Sequence, residues 1–300
     1  MTNAVVEAVG LRKQFGARDA VADISFAVPD GSVFGLVGRN GAGKTTTIRL
    51  LLGLLRPDSG HSSIFGEDSL ALSRACRRRI GYLSEEPFPY DDLPLPGLLR
   101  YVSAFFETWD WAYSDSLAER LDVPRDRTLR QMSRGERRRA ELLLVLAQQP
   151  DLLILDDPWL GLDAAIRREF LVTALELARD EGKTVLFTSH VLSDVERIVD
   201  RIALLDKGVV RSGGTLDDVK ARTKRLVLGV NGTDPRRVVV PGEVSRTVDG
   251  DDLVVVTEAY TPALEEKLRA TSSRVEVTHL NLEEIFCELV GRHPAEETRR

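Results

Sequence analysis

The sequence predicts an α/β fold with a mostly parallel sheet, a helical insertion and a small C-terminal α+β module. Three observations carry that prediction. The apolar runs "SVFGLVG" (32–38), "LLIL" (152–155) and "TVLFTS" (184–189) lack polar alternation, as strands buried on both faces do. Helix-patterned segments intervene, from Thr45 to Leu55, Gly135 to Ala147 and Ala164 to Arg179. After Thr223 the pattern changes to shorter strand-like and helical runs.

Taken in order, the first apolar run ends in a glycine-rich stretch that opens the Thr45 helix. Between Pro87 and Asp126 a cluster of prolines and aromatics leads into the helical stretches "LLRYVSAFFETW" and "AYSDSLAERLD", read as an inserted helical subdomain over about 87–140. "SDVE" (193–196) offers a capping box, with Glu196 serving Ser193, and so predicts a helix from Ser193. In the last part "RLVLGV", "RVVVPG", "DLVVVTEA" and "RVEVTHL" read as strands, and "PALEEKLRA" and "LEEIFCELVG" as helices. The organisation expected is a main domain over 1–220, an accessory α+β domain over 221–292 and a polar tail over 293–300.

Composition narrows the function. A 300-residue chain with 43% hydrophobic and 29% charged residues is globular in type, and its net charge of −6 lacks the basic footprint of a dedicated nucleic-acid binder. The "RRR" at 77–79 and "RGERRR" at 134–139 have acidic neighbours and read as solvated faces or dimer contacts, so no nucleic-acid partner is expected. The N-terminus has no secretory pattern, and no apolar run reaches the ~18 residues of a membrane span. Cys76 and Cys287 stand far apart without His or Cys neighbours, which argues for reduced thiols in a cytoplasmic protein.

The chemistry concentrates in two motifs. "GRNGAGKT" (38–45) fits G-x-x-x-x-G-K-[ST] between a predicted strand and a predicted helix, the arrangement of a P-loop NTPase core. There Gly38, Asn40, Gly41, Ala42 and Gly43 let successive backbone N–H groups face phosphate oxygens. The helix start at Lys44, Thr45 and Thr46 adds its dipole. Lys44 reaches the outer phosphates, and the Thr45 hydroxyl is a ligand for Mg²⁺. The second motif, "LLILDDPW" (152–159), delivers two carboxylates at a strand end. Asp156 is placed to hold Mg²⁺, largely through water, and Asp157 to orient the attacking water. ATP and Mg²⁺ are the expected ligands.

With these motifs in place, the chain over about 3–220 resembles the ATP-binding subunits of ABC transporters. "LRKQFGARDAVADISFAVPDGSVFGLVGRNGAGKTT" resembles the family's N-terminal half, "IGYLSEE" (80–86) its Q-loop, "QMSRGERRR" (131–139) its signature, "GLD" (161–163) its D-loop and "FTSH" (187–190) its switch-histidine segment. The resemblance implies that Phe15 stacks on adenine and that two such domains close head to tail. Ser133 and the Gly135 backbone then meet the γ-phosphate held by the other P-loop. Asp163 communicates between the two sites, and His190 contacts the γ-phosphate. The helical insertion resembles the part that receives a transmembrane permease subunit. The "RG" of the signature, Glu85 and the trailing "HLNLEEIFCELVG" resemble the branch serving ABC-2 type exporters. The chain is then peripheral on the inner face of the membrane, as a homodimer or a heterodimer with a second ATP-binding subunit.

Three positions depart from the family pattern. Glu85 stands for Gln in the Q-loop and still presents an oxygen to the metal. Arg134 and Glu136 replace the usual signature Gly and Gln. Asp157 replaces the usual catalytic Glu, which withdraws the carboxylate by about 1.5 Å, one C–C bond. Two readings follow: a slow ATPase powering an exporter, or a nucleotide-dependent switch with very slow hydrolysis. A third reading, a ribosome- or DNA-acting ATPase of the same family, is disfavoured, because the resemblance implies tandem domains or an inserted long coiled coil for such members and this sequence shows neither pattern.

Overall fold

The computed structural model describes residues 4–159, 162, 164–180, 182–230 and 235–291. The chain begins with the hairpin of β1 (Ala4–Phe15) and β2 (Arg18–Pro29), antiparallel because only Gly16 and Ala17 join them. β3 (Val33–Gly38) leads into α1 (Lys44–Leu51), and β4 (Ser59–Ile64) with β5 (Glu67–Asp68) forms an outer edge. Next come α2 (Arg74–Arg78), β6 (Ile80–Leu83) and the helices α3 (Leu95–Ser103), α4 (Trp111–Arg120) and α5 (Arg134–Leu146). The main body continues through β7 (Leu152–Asp156), α6 (Ala164–Asp180), β8 (Thr184–Ser189), α7 (Leu192–Val195), β9 (Arg201–Asp206) and β10 (Val209–Thr215). α8 (Leu216–Arg222) then leads to β11 (Lys224–Gly229), β12 (Glu243–Asp249), β13 (Asp252–Thr257), α9 (Pro262–Thr271), β14 (Arg274–His279) and α10 (Leu282–Val290).

The large sheet runs β5-β4-β1-β2-β10-β9-β3-β8-β7-β6. Five of its nine pairings are parallel, and four of those join β9, β3, β8, β7 and β6 into one block. β3, β7 and β8 are buried along their whole length, as the unbroken apolar runs predict. Three of the four antiparallel pairings are short hairpins and the fourth joins β1 to β4; in one hairpin Lys207 (φ 48) and Gly208 (φ 76) turn β9 directly into β10. That turn also positions the site. Gly208 donates its N–H to the Ala42 carbonyl at 3.0 Å and accepts from Ala22 N–H at 2.8 Å, so it ties the loop after β3 to β2.

The second sheet, β12-β13-β11-β14, is antiparallel throughout, and its buried side chains come from β11 and β13. Leu226, Leu228, Leu253 and Val255 pack with Leu268 of α9. On the other face Val256 joins Leu282, Ile285 and Phe286 of α10 in the buried cluster that also holds Val195 and Val199. Among the described residues no helix is long and apolar enough to cross a membrane.

Several local expectations change. The predicted capping box at Ser193 is absent: α7 starts at Leu192 after Val191, without a side-chain cap. Glu196 is engaged instead by Lys220 at 2.5 Å and by the Leu282 N–H at 3.2 Å. The Thr45 helix ends at Leu51, short of Leu55, and α3 ends at Ser103, where Phe105 and Phe106 make tighter turns onto Val102 and Ser103. "RVVVPG" is not a strand: Arg246 occupies the Pro235 and Val238 carbonyls, and Pro241 has no N–H for a ladder. β12, which has no clear apolar run, takes that place beside β13.

Candidate nucleotide site

Parallel order brings the C-terminal ends of β3, β7 and β8 to one edge, and the polar residues of the main motifs meet there. β3 ends at Gly38, where a Cβ would lie 2.3 Å from the Leu205 carbonyl oxygen. At Gly43, with φ +104, a Cβ would lie 2.3 Å from the Ala20 carbonyl oxygen, so a side chain is excluded on two grounds. Asn40 and Gly41 are exposed, Ala42 is buried and Thr46 is half-buried. Lys44, the first residue of α1, folds back over the loop and donates to the carbonyls of Gly38 at 2.8 Å and Arg39 at 3.2 Å. Burial pulls its ammonium pKa down, while the charges of Asp157, Asp156 and Glu85 act to hold it up.

Across from the loop, Asp156 is fully buried at the end of β7. Its Oδ1 accepts from the Thr188 hydroxyl at 2.7 Å and from the Thr45 hydroxyl at 3.2 Å. Its Oδ2 is buried without a hydrogen-bond partner. Desolvation pushes its carboxyl pKa up, against the pull of the two hydroxyls and Lys44, and the Asp157 charge adds to the rise. An unpaired buried carboxylate oxygen beside a threonine hydroxyl fits a hard divalent cation. Among the described residues no group of three or more His, Cys, Asp or Glu side chains could hold a metal. The Thr45 hydroxyl and the unpaired Asp156 Oδ2 match the needs of Mg²⁺, which takes one or two protein ligands and completes its shell with water and phosphate.

Asp157 lies in the left-handed region at φ 42 and is 5% exposed. Its N–H donates to the Thr188 hydroxyl at 2.8 Å, and its Oδ2 meets His190 Nδ1 at 2.7 Å. Its Oδ1 is buried and unpaired. Trp159, in the turn that follows Asp157, is buried edge-on to Phe187 with ring centroids 5.6 Å apart.

The other predicted residues divide. Glu85 is exposed, and its backbone carbonyl accepts from Arg138 at 3.0 Å. Phe15 is 52% exposed at the tip of the first hairpin, with the Lys13 ammonium 5.8 Å from its ring, and the neighbouring Arg18 donates to the Gly41 carbonyl at 3.4 Å. Ser133 and Gly135 belong to a different surface, lining a cavity of ≈130 Å³ with Arg139, Ile166 and Phe170. Ser133 caps α5 in a box with Glu136, whose carboxyl pKa the Ser133 N–H lowers. Asp163 lies outside the described residues.

Sequence reasoning passed over three residues. Thr188 holds the backbone and side chain of adjacent aspartates, and only the pairing of Asp156 with Thr188 across β7 and β8 reveals it. Arg138, within the run read as a solvated face or dimer contact, is buried and paired at 2.7 Å with the equally buried Glu141. Arg138 spans the Ser84 and Glu85 carbonyls, so it fixes the Q-loop-like segment from inside. The acidic residue at i+3 from Arg138 was the available signal.

The ABC transporter family model matches residues 21–160. The daunorubicin/doxorubicin resistance ATP-binding protein DrrA of Streptomyces peucetius is 33% identical, over 97% of this chain and 94% of that protein. The chain belongs to the ABC transporter ATP-binding family. The Nod factor export ATP-binding protein I of Bradyrhizobium diazoefficiens is likewise 33% identical, over 97% of this chain and 98% of its own. A solved ATP-binding subunit of an ABC transporter superposes with a TM-score of 0.64 at 28% identity, over 72% of this chain and 92% of that one. As a member of this family the chain is a nucleotide-binding P-loop ATPase subunit, and its cassette core is the large sheet with its flanking helices.

Proposed function

We propose that this chain hydrolyses ATP at the 38–45 loop and that the reaction powers export by a separate transmembrane permease. One observation carries the reading: the continuous polar path from Thr45 through Asp156 and Thr188 to Asp157 and His190, beside Lys44. Lys44 supplies a buried cation for the outer phosphates. Thr45 and Asp156, with Glu85 nearby, would hold Mg²⁺, which when bound neutralises phosphate charge. Asp157 has two separate tasks for its two oxygens. Oδ2 accepts from His190 Nδ1–H and fixes that ring, which leaves Nε2 for the γ-phosphate. Oδ1 is available to orient the attacking water and take its proton.

Closure completes the site. Two copies, or this chain and a sister subunit, meet head to tail, so that Ser133 and Gly135 of one face the nucleotide on the other. Phe15 packs on the adenine, and Asp163 links the two sites. The export direction follows the relatives, which are named for drug resistance and Nod factor export. In this arrangement the chain sits on the cytoplasmic face of the membrane through its permease.

The short Asp157 side chain favours a second reading, a nucleotide-gated switch with very slow hydrolysis. Misplacing a catalytic group by about 1 Å costs on the order of 100-fold in rate. Isolation of the chain from membranes tests the first reading: it predicts a polytopic membrane protein in the complex and ATP-dependent export by reconstituted vesicles. Single-turnover measurement on that complex separates the two. Hydrolysis too slow to keep pace with transport establishes the switch, and recovery of no membrane subunit refutes the transport role.

A further inference from the structure

We infer that α10 is a positioning element of the nucleotide site within the same chain, acting on the phosphate loop through Phe286 and on the His190 segment through Glu196. The inference rests on the ATPase reading of that site. Its two supports lie at different points along one helix.

Phe286 is 2% exposed, and its ring centroid lies 5.9 Å from the Arg39 guanidinium. Arg39 belongs to the phosphate loop, and its carbonyl accepts from Lys44 Nζ at 3.2 Å and from Ala42 N–H at 3.1 Å. A cation held over a desolvated ring resists displacement. Phe286 therefore bears on the residue that Lys44 grips.

At the start of α10 the capping box of Asn281 and Glu284 satisfies the N–H groups of both residues. The Leu282 N–H, one of the helix's remaining free donors, goes to Glu196 Oε2 at 3.2 Å. Glu196 is the C-cap of α7, the helix that begins at Leu192 two residues after His190, and its Oε1 holds Lys220 of α8 at 2.5 Å. Asp194 in the same short helix is paired with Arg167 of α6 at 2.7 Å. α7 is thus held from three directions, one of them α10.

The other side of α10 is bound to the second sheet, where Glu288 accepts from Arg225 of β11 at 3.0 Å and from Ser245 of β12 at 2.7 Å. Leu282, Ile285 and Phe286 share one buried cluster with Val195 and Val199. A helix fixed on both sides in a close-packed interior passes on a displacement of the small sheet instead of absorbing it. The destinations are two contacts of the nucleotide site, Lys44 with Arg39 and His190 with Asp157.

Steady-state kinetics on the full-length protein test this. Glu196→Ala is expected to lower kcat about tenfold, with the KM for ATP within about twofold, because it loosens His190 rather than the loop. Glu196→Gln keeps an oxygen for the Leu282 N–H and should recover most of that loss. Phe286→Leu, which keeps apolar volume without a ring, should raise KM by about threefold or more with kcat nearly unchanged. The His190 imidazole NMR signal should move in Glu196→Ala and return in Glu196→Gln. Wild-type kcat and an unmoved His190 signal in Glu196→Ala overturn the inference. So does a joint fall that follows only the folded fraction, with Glu196→Gln no better than Glu196→Ala. A wild-type chain that neither binds nor hydrolyses ATP refutes the site itself; an active wild type with unaltered variants refutes only the role of α10.

Discussion

The parallel block of the large sheet and the apolar cluster between the small C-terminal sheet and α9 use buried space in opposite ways. In the block, the strand ends gather Lys44, Asp156, Asp157, Thr188 and Ser189, all buried. In the small sheet, the cluster against α9 is apolar throughout, and the charges of Arg274, Asp252 and Glu276 pair at its exposed margin. Buried charge disfavours folding unless something compensates it. The block therefore gives up stability where phosphate and metal are to be bound, whereas the small sheet contributes packing.

The widest separation between the two regions comes from Lys44→Ala. It should reduce ATP hydrolysis by at least about 100-fold in a steady-state assay, while thermal melting stays close to wild type. Asp157→Asn should stop multiple turnover yet leave ATP binding intact, as read by nucleotide-dependent fluorescence. Asp157→Glu probes the missing carbon. An increase in rate of up to about 100-fold is expected if the left-handed backbone at 157 admits the longer side chain. An unchanged rate would make side-chain length irrelevant.

Thr188→Val comes next. It leaves the Asp157 N–H and Asp156 Oδ1 each one partner short, at a cost of about 1–3 kcal/mol in denaturant unfolding. Turnover should fall about tenfold, and Thr188→Ser should restore it. Leu228→Ala in the small sheet should cost a similar 2–5 kcal/mol, roughly the usual range for a buried leucine. Below its melting temperature it should leave hydrolysis per folded molecule unchanged.

The smallest effect concerns pH. Asp156 has its folded-state pKa raised by burial, so the folded nucleotide-free protein binds a proton more readily than the unfolded chain. Its contribution to stability is greatest below the unfolded carboxyl pKa and declines as pH rises toward the elevated folded value. Asp156→Asn should accordingly melt higher than wild type at neutral pH while losing hydrolysis. A lower melting temperature in that variant would mean that the carboxylate is stabilised in place.

The site's components were legible to different degrees. Glycine spacing and the run of buried apolar residues before Asp156 announce the loop and the strand, because both requirements are local. Thr188 was not legible, because its role depends on which strand lies beside β7. The burial of Arg138 is not legible either, since a charged residue in a basic run fits a solvated face or a dimer contact until the Ser84 and Glu85 carbonyls are brought to it. The Ser193 capping box failed for a related reason: Glu196 fits the local pattern, but Lys220 and the Leu282 N–H compete for it and win.

The sequence alone determined the phosphate loop, the two aspartates, the family motifs and the parallel block. Each depends on residue type at short spacing, where backbone sterics and hydrophobic periodicity act directly. Tertiary structure alone decided the pairing of β1 with β4, the Thr188 bridge, the Arg138 clamp and the contact of α10 with Arg39. Those join residues far apart in the chain, and packing and long-range hydrogen bonds choose such partners only once the strands have been ordered.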